Sequence, residues 1–241
     1  MNLNKIFENL GPIEKKIHIS WKNKNILELE FNIIKNGIYN LKNLNPDYSF
    51  EINDDNDVND YLEKNLSPDD FQLIKKKHIV EKTDLWRLLK IYNEGGIYMD
   101  IDRLCNIPLS KIIKKDIRCA LPTYRDFDFS QDIMISCSKN IIHKRAIELN
   151  LERRRNGEKR IVYLGPDTYL QAVSEILINK QIPRENNKNL FNELRQIIKQ
   201  CKYLKTFREE PPYNTIMYQG PEIKFDKKGF YKNQGVGFHS T

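Results

Sequence analysis

Two carboxylates stand two residues apart at Asp100 and Asp102, directly after the apolar run Ile97-Tyr98-Met99. On an extended strand both would project to one side while Ile101 packed the other. Such a pair is too costly to leave unpartnered in a crevice, and a hard divalent cation that prefers oxygen resolves the repulsion. Mg²⁺ or Mn²⁺ held in this way bridges two phosphates and stabilises the charge that develops when a sugar leaves a nucleoside diphosphate. Acids at this spacing also arise by chance in a chain that is 30% charged. Asp55 and Asp57 are another such pair, read here as a solvated loop. That Asp- and Asn-rich stretch is a poor EF-hand, because Asp60 stands where the turn needs Gly and Leu66 occupies the final ligand position.

Asp84 and Arg87 are the second constellation. Three apart on a helix, they share one face. An acid and a base so placed suit a sugar hydroxyl and a phosphate, and equally an ordinary surface ion pair; the two residues by themselves leave both open.

The elements that must position these groups follow from the pattern. Leu85, Leu88, Leu89 and Tyr92 recur at helical spacing, and Gly95-Gly96 supplies a left-handed stop, which predicts a helix over 80–93. A strand over 97–102 then ends in the carboxylates, giving an α/β unit. Upstream, 16–21 and 48–52 read as strands, the second entered through the turn Asn45-Pro46-Asp47. Ser67-Pro68-Asp69-Asp70 caps a helix over 68–77. Downstream, strands are expected at 118–121 and 132–137, and helices at 142–154, after Gly165-Pro166-Asp167, and at 190–202. From Pro211 onward, Tyr, Phe, Pro and Gly suggest irregular β-segments wrapped over the core.

Composition bounds the rest. A chain of 241 residues, 39% hydrophobic, fits a single domain over 1–241 that covers a sheet on both faces. No run approaches the roughly 20 apolar residues of a membrane-spanning helix, and the first residues lack the pattern of a secretory signal, so a cytoplasmic location and no transmembrane segment are expected. The four cysteines, at 105, 119, 137 and 201, form no C-x-x-C pair and read as free buried thiols. The net charge of +7 is scattered rather than confined to one stripe, so no nucleic-acid partner is expected.

Thr83-Asp84-Leu85-Trp86-Arg87 followed by Gly95-Gly96-Ile97-Tyr98-Met99-Asp100-Ile101-Asp102 resembles the S-D-x-x-R…G-G-x-Y-x-D-x-D signature of the DXD-containing glycosyltransferases of family 32. That family includes yeast α-mannosyltransferases and capsular polysaccharide transferases, with the glucosylating clostridial toxins as relatives. Ile17-His18-Ile19-Ser20-Trp21 is similar to the family's opening I-H-x-x-W strand, Asn45-Pro46-Asp47-Tyr48 to its N-P-x-Y turn, Gly165-Pro166 to a later G-P, and His239 to a late histidine. The resemblance implies a glycosyltransferase A-type fold, α/β with a mixed, mostly parallel sheet flanked by helices. It implies a retaining, metal-dependent hexosyltransferase using a UDP- or GDP-hexose donor, UDP favoured, and a glycan, protein or lipid acceptor. Asp100, Asp102 and Arg87 would be catalytic; Ile19, Trp21, Asp84, Arg87, Tyr98, Asp100 and Gln131 would bind the donor, Trp21 by stacking on the base; Asp100, Asp102 and His239 would hold Mn²⁺ or Mg²⁺. Two departures stand out. Gln131 replaces the usual Asn ahead of Ile133-Met134-Ile135-Ser136, and the chain ends at Thr241 where relatives often continue to a further Trp.

The run Ile97 to Asp102 also fits an apolar strand ending in the acid pair of a haloacid-dehalogenase-type phosphatase, with Asp100 as nucleophile and Asp102 as acid/base. Against it, Arg103 stands where a small residue is expected. A basic nucleic-acid-binding protein is the non-enzyme alternative, without a recognisable module.

Overall fold

The computed structural model describes residues 3–25, 32–101, 103–105, 107–124, 128–181, 188–208 and 216–218. A short helix α1 (Leu3–Phe7) precedes strand β1 (Lys16–Ser20), helix α2 (Asn32–Leu44) and strand β2 (Ser49–Asn53). Three helices follow in succession: α3 (Asp55–Asn65), α4 (Pro68–Lys75) and α5 (Ile79–Glu94). They lead into β3 (Gly96–Met99), β4 (Arg103–Cys105), β5 (Cys119–Tyr124), β6 (Asp128–Phe129) and β7 (Ile133–Ser136). Helices α6 (Ile141–Arg155), α7 (Ile161–Leu164), α8 (Pro166–Ile178) and α9 (Lys188–Gln200) come next, then strands β8 (Leu204–Arg208) and β9 (Ile216–Tyr218).

The main sheet has the order β2-β1-β3-β7-β5-β6, with β8 also pairing with β5. β1 is parallel to β2 and β3, β8 is parallel to β5, and β7 and β6 are antiparallel to their neighbours. Strands β1, β2, β3, β5 and β8 therefore share one direction, so the expected mixed, mostly parallel sheet flanked by helices is present.

Period-2 alternation sorts the strand side chains between two layers. Ile17, Ile19, Ile97, Met99, Ile133 and Ile135 face a core closed by Ile38 and Leu41 of α2 and by Leu109, Ile112 and Ile117. Tyr98, Met134, Cys119 and Leu121 face the other core, built with helices α3 to α6, α8 and α9. Burial on both faces is what continuous apolar strands such as Ile133-Met134-Ile135 require. Each such isoleucine, fully enclosed, contributes about 1.5–3 kcal/mol.

The helix-to-strand joint depends on two glycines. Gly95 caps α5 at φ +71°, and a Cβ there would lie 2.7 Å from the Ser138 backbone nitrogen. Gly96, at φ +92°, would bring a Cβ to 2.5 Å from the Lys16 carbonyl oxygen. Only a residue without a side chain lets β3 lie this close to β1.

Several expectations are corrected. β3 ends at Met99 rather than reaching 102, because Arg103 N–H donates to the Asp100 carbonyl at 3.0 Å and turns the chain. Asp100 is thus presented by a turn, and strand alternation does not apply to it. Asp55 and Asp57 are not a solvated loop: Asp54 caps α3 by accepting from Asn56 N and Asp57 N, while the Asp57 carboxylate returns to Asp54 N–H in a capping box. Helices α1, α2 and α3 and strand β8 went unforeseen. Among the described residues no helix is long and apolar enough to cross a membrane.

Candidate functional site

Helix α5 carries Asp84 and Arg87 one turn apart, and both are buried, at 7% and 8% exposure, rather than lying on the surface. Arg87 Nη2 meets Asp84 Oδ1 at 3.0 Å and Nη1 meets Asp100 Oδ1 at 3.3 Å. Nη1 also donates to the Gln131 carbonyl at 3.0 Å, and the guanidinium lies over the Tyr98 ring, 4.6 Å from its centroid. The Tyr98 hydroxyl donates to the same Asp100 Oδ1. One cation therefore serves two carboxylates while stacking on an aromatic face, a task suited to the planar guanidinium.

Charge in this knot is unbalanced toward the acids. Burial pushes the Asp84 carboxyl up from its usual 3.8 to about 6; Arg87 pulls against this and Asp100 reinforces it. Burial also raises the Tyr98 hydroxyl well above its usual value, keeping it a hydrogen-bond donor.

Two polar groups end beside a glycine. Gln131, 3% exposed, has neither amide oxygen nor amide nitrogen hydrogen-bonded among the described residues. A Cβ at Gly165 would lie 2.9 Å from Gln131 Nε2 and 3.1 Å from Asp84 Oδ2. A side chain at this position would press on both groups. A buried amide without partners is costly, which is what a polar ligand at this point would relieve.

Asp84, Arg87, Tyr98, Asp100 and Gln131 are thus brought together. Ile19 and Trp21 are not in this knot: Ile19 (2% exposed) and Trp21 (8%) pack in the α2-side core. The end of β1 still reaches the knot, with Ser20 close to the Tyr98 hydroxyl. Asp102 and His239 lie outside the described residues.

In the loop between β6 and β7, where Gln131 was expected to matter, sequence reasoning missed a neighbouring residue. That residue, Asp132, pairs with Arg103, and its carbonyl accepts from Asp100 N–H at 2.8 Å. No motif marks these residues; only the strand pairing brings them to the acids.

A metal at Asp100 fits the donor set. Arg87 and Tyr98 both contact Oδ1, leaving Oδ2 of this one-third-exposed carboxylate without a partner among the described residues. A hard oxygen of this kind suits Mg²⁺ or Mn²⁺. A second group, His18, Glu51 and Glu94, places ligand atoms within 4.8 Å of one another. Lys16 and Lys90 already pair with both glutamates there, at 2.6–2.9 Å. Two ammonium groups thus supply the charge a cation would bring. The His18 hydrogen bond first, and then the lysines, hold Glu51 well below the usual carboxylate range against the opposing effect of burial. This is a brace between β1, β2 and α5.

Comparison with known proteins bears on what this fold and this knot of side chains could serve. Residues 32–118 match the family described as "Glycosyltransferase sugar-binding region containing DXD motif". Of the readings left open by the acid pair, the glycosyltransferase is the one this match supports. A protein of Photorhabdus asymbiotica described as "Toxin" is 28% identical over 223 residues, which is 77% of this chain. The chain spans 7% of that relative's length. The solved "PaToxG Glycosyltransferase" shares the fold, with a TM-score of 0.55, 23% identity and coverage of 79% of this chain and 78% of that one.

Proposed function

We propose that residues 1–241 act as one catalytic domain that moves a hexose, with retention, from a nucleoside diphosphate donor to a glycan, protein or lipid acceptor. The observation that carries this reading is the buried Arg87, held between Asp84 and Asp100 over the Tyr98 ring. UDP is taken ahead of GDP on the resemblance alone. Asp100 and Asp102, with His239, would hold Mn²⁺ or Mg²⁺, and the chemistry such a cation supplies when bound is countercharge for the leaving diphosphate.

The chain's own residues divide the remaining work. Arg87 adds fixed positive charge where the departing phosphate gathers negative charge, and because it is already anchored it costs no reorganisation at that moment. Asp84 Oδ2 and the Gln131 amide, facing Gly165, offer an acceptor and a donor to sugar hydroxyls. Tyr98 holds Asp100 Oδ1, leaving the other oxygen for the metal. Trp21 and Ile19 would lie along the nucleobase. The buried free thiols Cys119, Cys137 and Cys201 support a cytoplasmic setting.

Calorimetry with UDP and with GDP, each with Mn²⁺ and with chelator, tests the reading. Binding of one nucleotide only with Mn²⁺ is expected. Binding that chelator leaves unchanged would remove the metal role.

A further inference from the structure

The turn that begins at Asp100 is tied at both ends to one residue of the β6–β7 loop. At its start, Asp100 N–H donates to the Asp132 carbonyl at 2.8 Å. At its end, the Arg103 guanidinium pairs with the Asp132 carboxylate, and the Arg103 side chain is only 3% exposed. The turn is also closed on itself by Arg103 N–H donating to the Asp100 carbonyl at 3.0 Å. Asp132 is fixed in turn by the Ser130 hydroxyl, which donates to its Oδ1. The neighbouring Gln131 carbonyl receives Arg87 at 3.0 Å, so one three-residue loop sets both the acid turn and the site's cation. Between the two tied ends lie only Ile101, which is buried in the α2-side core at 7% exposure, and Asp102.

We propose that Asp132 and Arg103 are a positioning pair for the acid motif, fixing the turn at Asp100 so that its metal-binding carboxylate needs no further ordering when the cation and diphosphate arrive. The pair rests on the reading of Asp100 and Asp102 as metal ligands given above. Groups that orient a ligating carboxylate without touching the metal typically change metal affinity by about 10–100-fold when removed. A buried ion pair kept only for stability behaves differently: apolar replacement of both partners is tolerated, and metal affinity does not change.

Three variants separate the two roles: Asp132→Asn, Arg103→Lys, which keeps the charge but loses the two-pronged contact, and the double variant Asp132→Leu/Arg103→Met, which removes both buried charges together. For each, the melting temperature without ligand and the Mn²⁺ affinity in the presence of UDP, by calorimetry, are measured against wild type. Mn²⁺ binding about 10–100-fold weaker is expected in every variant that folds, including any whose melting temperature matches wild type. Wild-type Mn²⁺ affinity in a folded Arg103→Lys or double variant would overturn the positioning role and leave the pair as a stability element. A wild type whose UDP binding ignores Mn²⁺ would instead overturn the metal reading itself, and the pair's role with it.

Discussion

Arg87 is asked to neutralise two carboxylates, and the cost falls on Asp84. With its carboxyl at about 6 against 3.8 in an unfolded chain, the folded protein retains a proton that the unfolded chain has released between those values. Stability therefore falls as pH rises through this window, by about 3 kcal/mol in total. Asp84→Asn carries no charge to bury, so it should melt higher than wild type at pH 7.5, with the gap closing below about pH 4, while selectivity among donor sugars declines. Melting curves across that pH range check this; a gap independent of pH would mean that Asp84 is not strained by its burial. Arg87→Ala removes the only guanidinium described between Asp84 and Asp100 and leaves both acids facing each other, a loss on the order of 3–5 kcal/mol in stability. If Arg87 acts mainly as the transition state gathers charge, the same variant lowers turnover more than it weakens donor binding. A parallel fall in both would place Arg87 in ground-state binding only.

At the scale of elements, the α5–Gly95-Gly96–β3 joint aligns the knot. Gly96→Ala combines a positive φ with a contact at 2.5 Å to the Lys16 carbonyl, so it should cost at least about 1–3 kcal/mol in urea unfolding and reduce donor binding. Unchanged stability would show that β3 can shift away from β1 freely. This joint was the most legible part of the chain, because helical periodicity, a glycine stop and an apolar strand all point the same way. The same holds for α4, whose Ser67 cap and Pro68 start are as expected, and for α8, with Tyr169 and Val173 buried on its inner face. The unforeseen α2 has the opposite character: Asn-Ile-Ile-Lys-Asn-Gly is poor in helix formers. Burial of Ile38 and Leu41 against the sheet overrides that propensity. Within the site, Asp84, Arg87, Tyr98 and Asp100 were legible because a compact motif carries them. Asp132 and Arg103 were not, since antiparallel pairing of β7 with β3 brings them together and sequence spacing says nothing about it.

For the molecule as a whole, the net charge of +7 does not gather into a polyanion-binding face at the most basic run. Arg153 donates to Thr168 at 2.9 Å, Arg154 pairs with Glu81 at 3.0 Å and Arg155 with Asp70 at 2.5 Å. These arginines fasten α6 to its neighbours. The central claim is that the acids at 100 and 102 hold the metal on which the donor's diphosphate depends. Donor hydrolysis by wild type and by Asp102→Asn across a manganese titration tests it most directly. Wild type should rise to a plateau with Mn²⁺, while Asp102→Asn should stay far below it and need much more Mn²⁺ for any activity. Equal rates at every manganese concentration would contradict the account and leave the acid pair a structural feature.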